Sequence, residues 1–422
     1  MAVADEHPER SSWGTIGASS AVAAGLAIVL NVLAGRTLGV AGYADFLVVW
    51  GLFFALTGIL PGLQQEVTRS VATARVRDLH GQPPVVGAVV IGVSGGAVIV
   101  ITSPLWAPRI LDNQALGVSA VLAAGFLCFA WANHVNGTLA ATYRWSLYAT
   151  AILLDGVLRF LFVGAVLVLG TGAVGWALGL VASASTWAVL AIRPEVRAST
   201  MAFGDARTSL FVRRSAHAMV AAGCSALIVA GFPVLLRLFA GDAASGAAAG
   251  IVLAVLMATR APLLLFLNAY QGVLITRLVD STAPIRLMLR WVGVGLLLAV
   301  PMAAAAYVIG PPLLRLVFGQ GYVATGDLFV GLVLSGVALG VITLVGWTAL
   351  ALGRHTLYVC GWLTAVVVTS ALLTVPVSLD TRVSVALTLG PLAGASLHLM
   401  LLLWGHPARR ETRTGIPPPP QL

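Results

Sequence analysis

The chain is a succession of long apolar runs separated by short polar turns. One apolar run ends near Asn31, a turn follows from Arg36 to Tyr43, and a second apolar run extends from Phe46 to Leu60. Counted with their flanks, both runs reach the roughly 20 residues that a helix needs to cross a bilayer. The pattern therefore predicts a hairpin of two membrane-spanning helices.

The same pattern repeats along the chain and predicts an all-α polytopic membrane protein with about twelve transmembrane helices. Their predicted bounds are 14–35, 43–62, 85–105, 115–137, 147–169, 172–192, 215–236, 247–275, 289–310, 326–350, 356–378 and 383–405.

The longest basic interruption, 193–214, divides the predicted helices into two six-helix lobes, 14–192 and 215–405. We expect it to be a cytoplasmic linker, and we expect 1–13 and the proline-rich segment 406–422 to be cytoplasmic tails, the latter disordered. Weak internal repeats favour a duplication, because six crossings return the chain to its starting side. The repeated motifs are Val22-Ala-Ala-Gly25 with Val220-Ala-Ala-Gly223, and Thr68-Arg69-Ser-Val71 with Thr276-Arg277-Leu-Val279.

Composition supports the membrane class and gives an orientation. Only 9% of the residues are charged and 59% are hydrophobic, whereas about 25% of the residues of a soluble domain are charged. The net charge is +9, the sequence has no lysine, and 22 of the 24 arginines lie between or at the ends of apolar runs, so nucleic acid is not an expected partner. Seventeen of the 24 arginines fall on one side of the predicted topology and five on the other. The positive-inside rule then places both termini in the cytoplasm. The absence of lysine and the abundance of alanine, valine and glycine favour a bacterial protein, so we expect the helices in a bacterial plasma membrane.

Enzyme motifs are absent from the sequence. There is no phosphate-binding P-loop, no HExxH and no GxSxG pattern, and the three cysteines have no CxxC spacing. We therefore expect no catalytic residues, no cofactor and no metal site. The informative residues are instead polar groups within helices, because such groups are costly in hydrocarbon and usually face a bundle interior or a cavity.

Arg260 is the most informative of these residues. It lies midway along the eighth predicted helix, near Pro262, and Asn268 and Gln271 follow on about the same face. One interpretation is a cation in an aqueous cavity that binds an anionic substrate group such as a phosphate, with Asn268 and Gln271 beside it. The other is a structural arginine that pairs with a carboxylate or with carbonyl groups at a helix end.

Asp155 and Arg159 stand four residues apart in the fifth predicted helix, so they share a face and can form an ion pair. A structural pair and a role in ion coupling are both open. Polar residues at the ends of the first hairpin, among them Asp45 and Glu66, are expected mostly to face water.

Several motifs resemble bacterial polysaccharide-biosynthesis proteins, the oligosaccharide flippases of the multidrug/oligosaccharidyl-lipid/polysaccharide (MOP) exporter superfamily. They are the first hairpin with Asn31, Arg36-Thr-Leu-Gly39, Gly42-Tyr43 and Phe46, its continuation with Gly62, Gln65 and Thr68-Arg69, the segment Pro311 to Tyr322, and the turn Ala349 to Arg354.

The resemblance implies two six-helix lobes around a cavity that opens alternately to the two sides of the membrane. It implies transport of a polyprenyl-diphosphate-linked oligosaccharide, coupled to a proton or sodium gradient. Asn31 and Arg36 join Arg260 as expected substrate-binding residues. The expected partners are this lipid-linked oligosaccharide, membrane lipids, and a polysaccharide polymerase or glycosyltransferases.

Three other functions compete with a flippase. A multidrug-extrusion cation antiporter would need free carboxylates within its helices, whereas Arg260 has no acidic neighbour in its own helix and Asp155 has Arg159. A major-facilitator transporter would carry a Gly-x-x-x-Asp-Arg turn between its second and third helices, which the Arg69 to Arg77 stretch lacks. A membrane scaffold of a polysaccharide-synthesis complex is the alternative that involves no transport.

Overall fold

The computed structural model describes residues 10–111 and 114–404, and every regular element in these ranges is a helix. A short 3₁₀ turn, Gly241–Ala244, accompanies sixteen α-helices. These are α1 Arg10–Thr57, α2 Pro61–Arg77, α3 Pro84–Trp106, α4 Pro108–Leu111, α5 Ala115–Ala141, α6 Trp145–Val168, α7 Gly172–Ala182, α8 Ser185–Leu190, α9 Pro194–Thr200, α10 Thr208–Val229, α11 Phe232–Ala240, α12 Gly246–Asp280, α13 Pro284–Phe318, α14 Gly326–Ala351, α15 His355–Leu372 and α16 Leu379–Trp404.

Ten helical stretches in the described ranges are long and apolar enough to cross a membrane, or eleven if the bent pair α10–α11 is one span. The first stretch, Gly14–Arg77, has 64 residues, about three times what one crossing needs. It folds back on itself, because the Tyr43 hydroxyl lies 3.4 Å from the Asn31 side-chain oxygen. In a straight helix, a separation of twelve residues would place their Cα atoms roughly 18 Å apart. The stretch thus supplies two crossings, and the predicted all-α polytopic fold is confirmed.

The first hairpin turns at a single residue instead of through the predicted loop from Arg36 to Tyr43. The backbone is helical on both sides of Gly39, whose φ of 68° and ψ of 179° break the helix. Glycine adopts this conformation without the steric penalty of a side chain. The predicted eight-residue turn is therefore wrong in extent, and the side chains on it are held on helices.

Three other predicted boundaries also differ from the structure. The linker 193–214 contains α9 and the first turns of α10, so it is largely helical. The predicted helix 289–310 continues to Phe318, so the segment that begins at Pro311 is the end of α13. The predicted helix 215–236 is broken at Gly231, where α10 and α11 meet at 70°. Residues 1–9 and 405–422, which hold most of the two predicted tails, lie outside the described residues.

The helices of the first predicted lobe, α1–α8, contact those of the second, α10–α16, mainly through α1 with α12 and α2 with α10. Small residues permit the second contact. A Cβ on Gly62 would meet the backbone of Ala218 and Met219, and a Cβ on Gly58 would lie 2.7 Å from the Cβ of Ala226. Such close backbone approach stabilises helix pairs in lipid, where burial from water contributes little.

Segments that are predicted to lie on the same side of the membrane lie together at one end of the molecule. Asp45 contacts Arg237, and both line one pocket with Gln114 and Gly172, so four segments predicted to be outer share one end. Segments predicted to be inner share the other end, where the linker is fastened to the first lobe. There His134 Nε2 lies 3.0 Å from the Thr200 carbonyl oxygen, and the Gly81 amide donates to Gly204 at 3.0 Å.

Candidate functional site

Arg260 lies on α12 at the break between α10 and α11. Its side chain is 1% exposed, and its Nη1 donates to the Ile228 carbonyl oxygen at 3.0 Å. The Phe232 ring lies 5.9 Å from the guanidinium carbon. The last carbonyl groups of α10 lack partners in their own helix, and the negative end of its dipole favours a cation. Arg260 thus caps the broken helix.

This cap leaves most of the guanidinium's hydrogen-bonding capacity unused. Nε and Nη2 of Arg260 are buried, with no hydrogen-bond partner among the described residues. None of the ion pairs in the described ranges includes Arg260. The structural interpretation of Arg260 predicted a pairing with a carboxylate or with carbonyl groups at a helix end. Among the described residues only the helix-end carbonyl is found. Both donor atoms are closed to solvent in this conformation, so an anion can bind them only if the structure opens around Arg260.

The side chains of Asn268 and Gln271 lie outside the described part of the structure, so their predicted place beside Arg260 stays a prediction.

Arg36 and Asn31 lie at the first hairpin, where they contact groups other than those around Arg260. Arg36 donates from Nε to the Val317 carbonyl oxygen at 2.8 Å and from Nη2 to that of Leu316 at 2.7 Å. Asn31 donates to the Ala27 carbonyl of its own helix at 2.9 Å. Substrate binding by these two residues stays a prediction. The contacts of Arg36 place it at the junction between the lobes, whereas those of Asn31 lie within the first hairpin.

Asp155 and Arg159 form the predicted ion pair on α6, between Oδ2 and Nη2. Their side chains are 23% and 16% exposed. The guanidinium also lies over the rings of Phe53 and Phe54, with its carbon 5.7 and 5.2 Å from their centroids. Asp155 Oδ1 and Arg159 Nε have no partner in the described ranges. The pair is confirmed, and its role in ion coupling stays a prediction.

A charged cluster at the linker was not found from the sequence. Arg69 donates to Glu66 at 2.8 and 2.6 Å and to Asp205 at 2.9 Å, and Arg214 reaches Asp205 at 3.3 Å. Glu66 is 8% exposed, so the expectation that it faces water is wrong. Its spacing of three from Arg69 was a usable local signal. Asp205, 136 residues from Arg69, carried no such signal.

The charged cluster changes the pKa of Asp205. Burial raises the pKa of its carboxyl, but hydrogen bonds from Arg69 and Ser70, together with the charges of Arg69 and Arg214, lower the pKa below its ordinary value. The Asp205 carboxylate is therefore charged when it binds Arg69 and Ser70, and these bonds fix the linker to α2.

Comparisons with known proteins give relatives and a fold. No family model matches the sequence. The uncharacterized protein Rv3630 of Mycobacterium tuberculosis is 36% identical over 401 residues, which cover 93% of this chain and 92% of the relative. The uncharacterized protein Rv1510 of the same organism is 35% identical over 402 residues, with 93% and 92% covered.

Among solved structures, a multidrug resistance MATE family transporter of the MOP superfamily in an inward-facing conformation superposes with a TM-score of 0.64 at 13% identity, over 90% of this chain and 94% of that one. The eukaryotic MATE transporter AtDTX14 gives 0.65 at 11% identity, over 94% and 96%. A MOP superfamily transporter from Pyrococcus furiosus gives 0.63 at 15% identity, over 93% and 95%. The chain thus has the fold of MOP superfamily transporters.

Proposed function

We propose that this chain, which belongs to the same family as the mycobacterial proteins Rv3630 and Rv1510, is a flippase for a polyprenyl-diphosphate-linked oligosaccharide. It moves the sugar–diphosphate head across the plasma membrane for cell-surface polysaccharide synthesis. The lobes rock against each other, so that a site between them faces each side of the membrane in turn.

The observation that carries this proposal is that Arg260 has no acidic partner among the described residues. A guanidinium at the centre of a membrane helix costs roughly 2.5–3.5 kcal/mol even on the lenient insertion scale. In the described part of the chain it is offset by one carbonyl and one aromatic ring. A diphosphate supplies several acceptor oxygens that a planar guanidinium binds in bidentate fashion. An anionic head group therefore fits this site better than a cation does.

The packing of the first helix supports a route for the lipid tail. A Cβ placed on Gly14, Gly17 or Gly25 would have no neighbour within 4 Å. In the corresponding motif of the second repeat, a Cβ on Gly223 would lie 3.1 Å from Ile59. The part of α1 before Gly39 thus has open space beside these glycines, whereas α10 is packed against Ile59 at Gly223. The hydrocarbon tail can remain in the bilayer at this opening while the head crosses between the lobes.

A cation antiporter is the second candidate, because the fold is shared with a multidrug resistance transporter and Asp155 lies on a membrane-spanning helix. Its carboxylate is neutralised by Arg159, which weakens this alternative. The Pyrococcus furiosus structure is described as having a binding pocket of reverse polarity that suggests a different function. Proteins with this fold can therefore differ in the polarity of their binding pockets, and the positive charge of Arg260 favours an anionic substrate here.

A reconstituted assay separates these functions. The purified protein is placed in vesicles that contain a fluorescent polyprenyl-diphosphate oligosaccharide, and the fraction accessible to a membrane-impermeant quencher is followed under a proton or sodium gradient. A flippase raises the exchange rate above that of empty vesicles. Efflux of a cationic dye without lipid exchange would support the antiporter instead, and activity in neither assay would support the scaffold.

A further inference from the structure

The strongest unexplained feature is the junction between the lobes at the end of the molecule that is predicted to be outer. We call it the lobe seam and define it as residues 35–46 of the first lobe with 316–322 and Arg237 of the second. It joins the two stretches that the sequence singles out separately, the first hairpin and the segment from Pro311 to Tyr322.

Arg36 caps a helix of the opposite lobe. α13 ends at Phe318, and Gly319 follows with φ of 111°. The carbonyl groups of Leu316 and Val317 belong to the last turn, which has no following helical amides to donate to them. Both accept hydrogen bonds from one guanidinium at the negative end of the helix dipole. The cap joins residues that are 280 and 281 positions apart.

Closely packed aromatic rings form a second part of the seam. The Tyr322 hydroxyl donates to the Gly35 carbonyl oxygen at 2.9 Å, in a buried position. The Tyr43 ring lies 5.6 Å from that of Phe318 and 6.2 Å from that of Tyr322, measured between centroids. Gly35 is needed for this fit, because a Cβ there would lie 2.5 Å from Phe318 and 3.1 Å from the Tyr322 hydroxyl.

Asp45 and Arg237 add an ion pair across the same seam, at 2.6 Å. Asp45 is 52% exposed, and the Arg36 side chain is also exposed. When the exposed groups of Arg36 and Asp45 separate from their partners, water replaces those partners. Arg237, which is 11% exposed, keeps its hydrogen bond to the Ala244 carbonyl oxygen at 3.1 Å, so each contact breaks at modest cost. Buried rings between them would meanwhile exclude water from the closed seam. This combination suits a contact that must open and close repeatedly.

We infer that the lobe seam is a gate and that Arg36 is its latch, a positioning residue that stabilises the closed state by capping α13 across the lobes. The inference rests on the proposed alternating access. It gives Arg36 a role that differs from substrate binding, because both of its described partners are backbone carbonyls of the protein itself. Loss of the latch shifts the population toward the state that is open at the seam, with no change in the site around Arg260.

Distance measurements between spin labels test this inference without any substrate. Labels are attached to Leu169→Cys in the first lobe and Val377→Cys in the second, after Cys128, Cys224 and Cys360 are replaced by alanine. Both labelled positions are exposed and lie on turns at the seam end. Opening of the seam lengthens the distance between them.

Arg36→Ala should lower the ratio of closed to open molecules about tenfold, which corresponds to about 1.4 kcal/mol. Arg109→Ala is the matched control. Arg109 also donates to a helix-end carbonyl, that of Leu105 at 2.7 Å, but within its own lobe. The distance distribution of this control should equal that of the parent.

Two milder variants cover the case in which Arg36→Ala folds poorly. Tyr322→Phe removes only the hydroxyl that donates to Gly35, and Gly35→Ala inserts a methyl group against Phe318. Both should shift the distribution in the same direction as Arg36→Ala. Unchanged distances in all variants that fold would overturn the latch and leave the flippase proposal standing. Opening in these variants of a protein that flips no lipid would confirm the latch and refute the flippase.

Discussion

Asp155 and Arg159 permit a test of whether an ion pair within the membrane is structural. Asp155→Asn leaves the guanidinium of Arg159 at membrane depth with the faces of Phe53 and Phe54 as its remaining described contacts. Removal of one partner from a fully buried pair costs about 3–5 kcal/mol. The two side chains are 23% and 16% exposed, so we expect a smaller loss of about 2–4 kcal/mol in the free energy of unfolding.

The double variant with Asp155→Asn and Arg159→Gln removes both charges and should recover at least half of that loss. The assay is a double-mutant cycle of stability in detergent, measured for the wild type, both single variants and the double variant. A coupling energy near zero would refute the structural account of the pair. If the double variant is stable yet inactive in exchange, Asp155 has a role in coupling. Full activity would remove the pair from the mechanism.

Three further predictions concern packing, the linker and the topology. Gly62→Ala should destabilise the protein by about 1–3 kcal/mol, because its methyl group would meet the backbone of α10, whereas Gly25→Ala, which has open space, should not; thermal denaturation of both variants measures the difference. Asp205→Asn should lower the free energy of unfolding above about pH 4. The difference from the wild type should vanish as the pH falls through the lowered pKa of Asp205 in the folded protein, because protonation of the carboxylate removes its stabilising effect. Denaturation at a series of pH values measures this dependence. A cysteine at Met201 should react with an impermeant thiol reagent only from the cytoplasmic side, and one at Val323 only from outside; both positions are exposed, and labelling of Met201→Cys in intact cells would reverse the topology.

Local patterns predicted most of the helices and one ion pair within a helix. Apolar runs of bilayer length gave the membrane spans, and a spacing of four gave the Asp155–Arg159 pair. The sequence did not show that the turn of the first hairpin consists of Gly39 alone, because hydrophobicity does not report the φ of a glycine. The break at Gly231 was hidden within an apolar run, although the nearby Pro233 was a signal for it.

Contacts between segments far apart in the chain could not be derived from one sequence. Arg36 meets Val317 across 281 positions, and Arg260 meets Ile228 across 32. Backbone carbonyls carry no signal in the identity of their residues, so neither acceptor could be named in advance. The sequence identified Arg260 because its charge lies within an apolar run, and it identified Arg36 through the resemblance to oligosaccharide flippases. What each binds depends on where helices break and end.

The central claim is that Arg260 binds the anionic head of the substrate, and lipid exchange by Arg260 variants tests it most directly. The exchange rate of the fluorescent polyprenyl-diphosphate oligosaccharide is compared among vesicles that contain equal amounts of folded wild type, Arg260→Lys and Arg260→Ala. Arg260→Lys keeps the charge but loses the bidentate geometry, so its rate should fall at least about tenfold, and Arg260→Ala should abolish exchange while remaining in the membrane. Exchange at the wild-type rate by well-folded Arg260→Ala would contradict the claim.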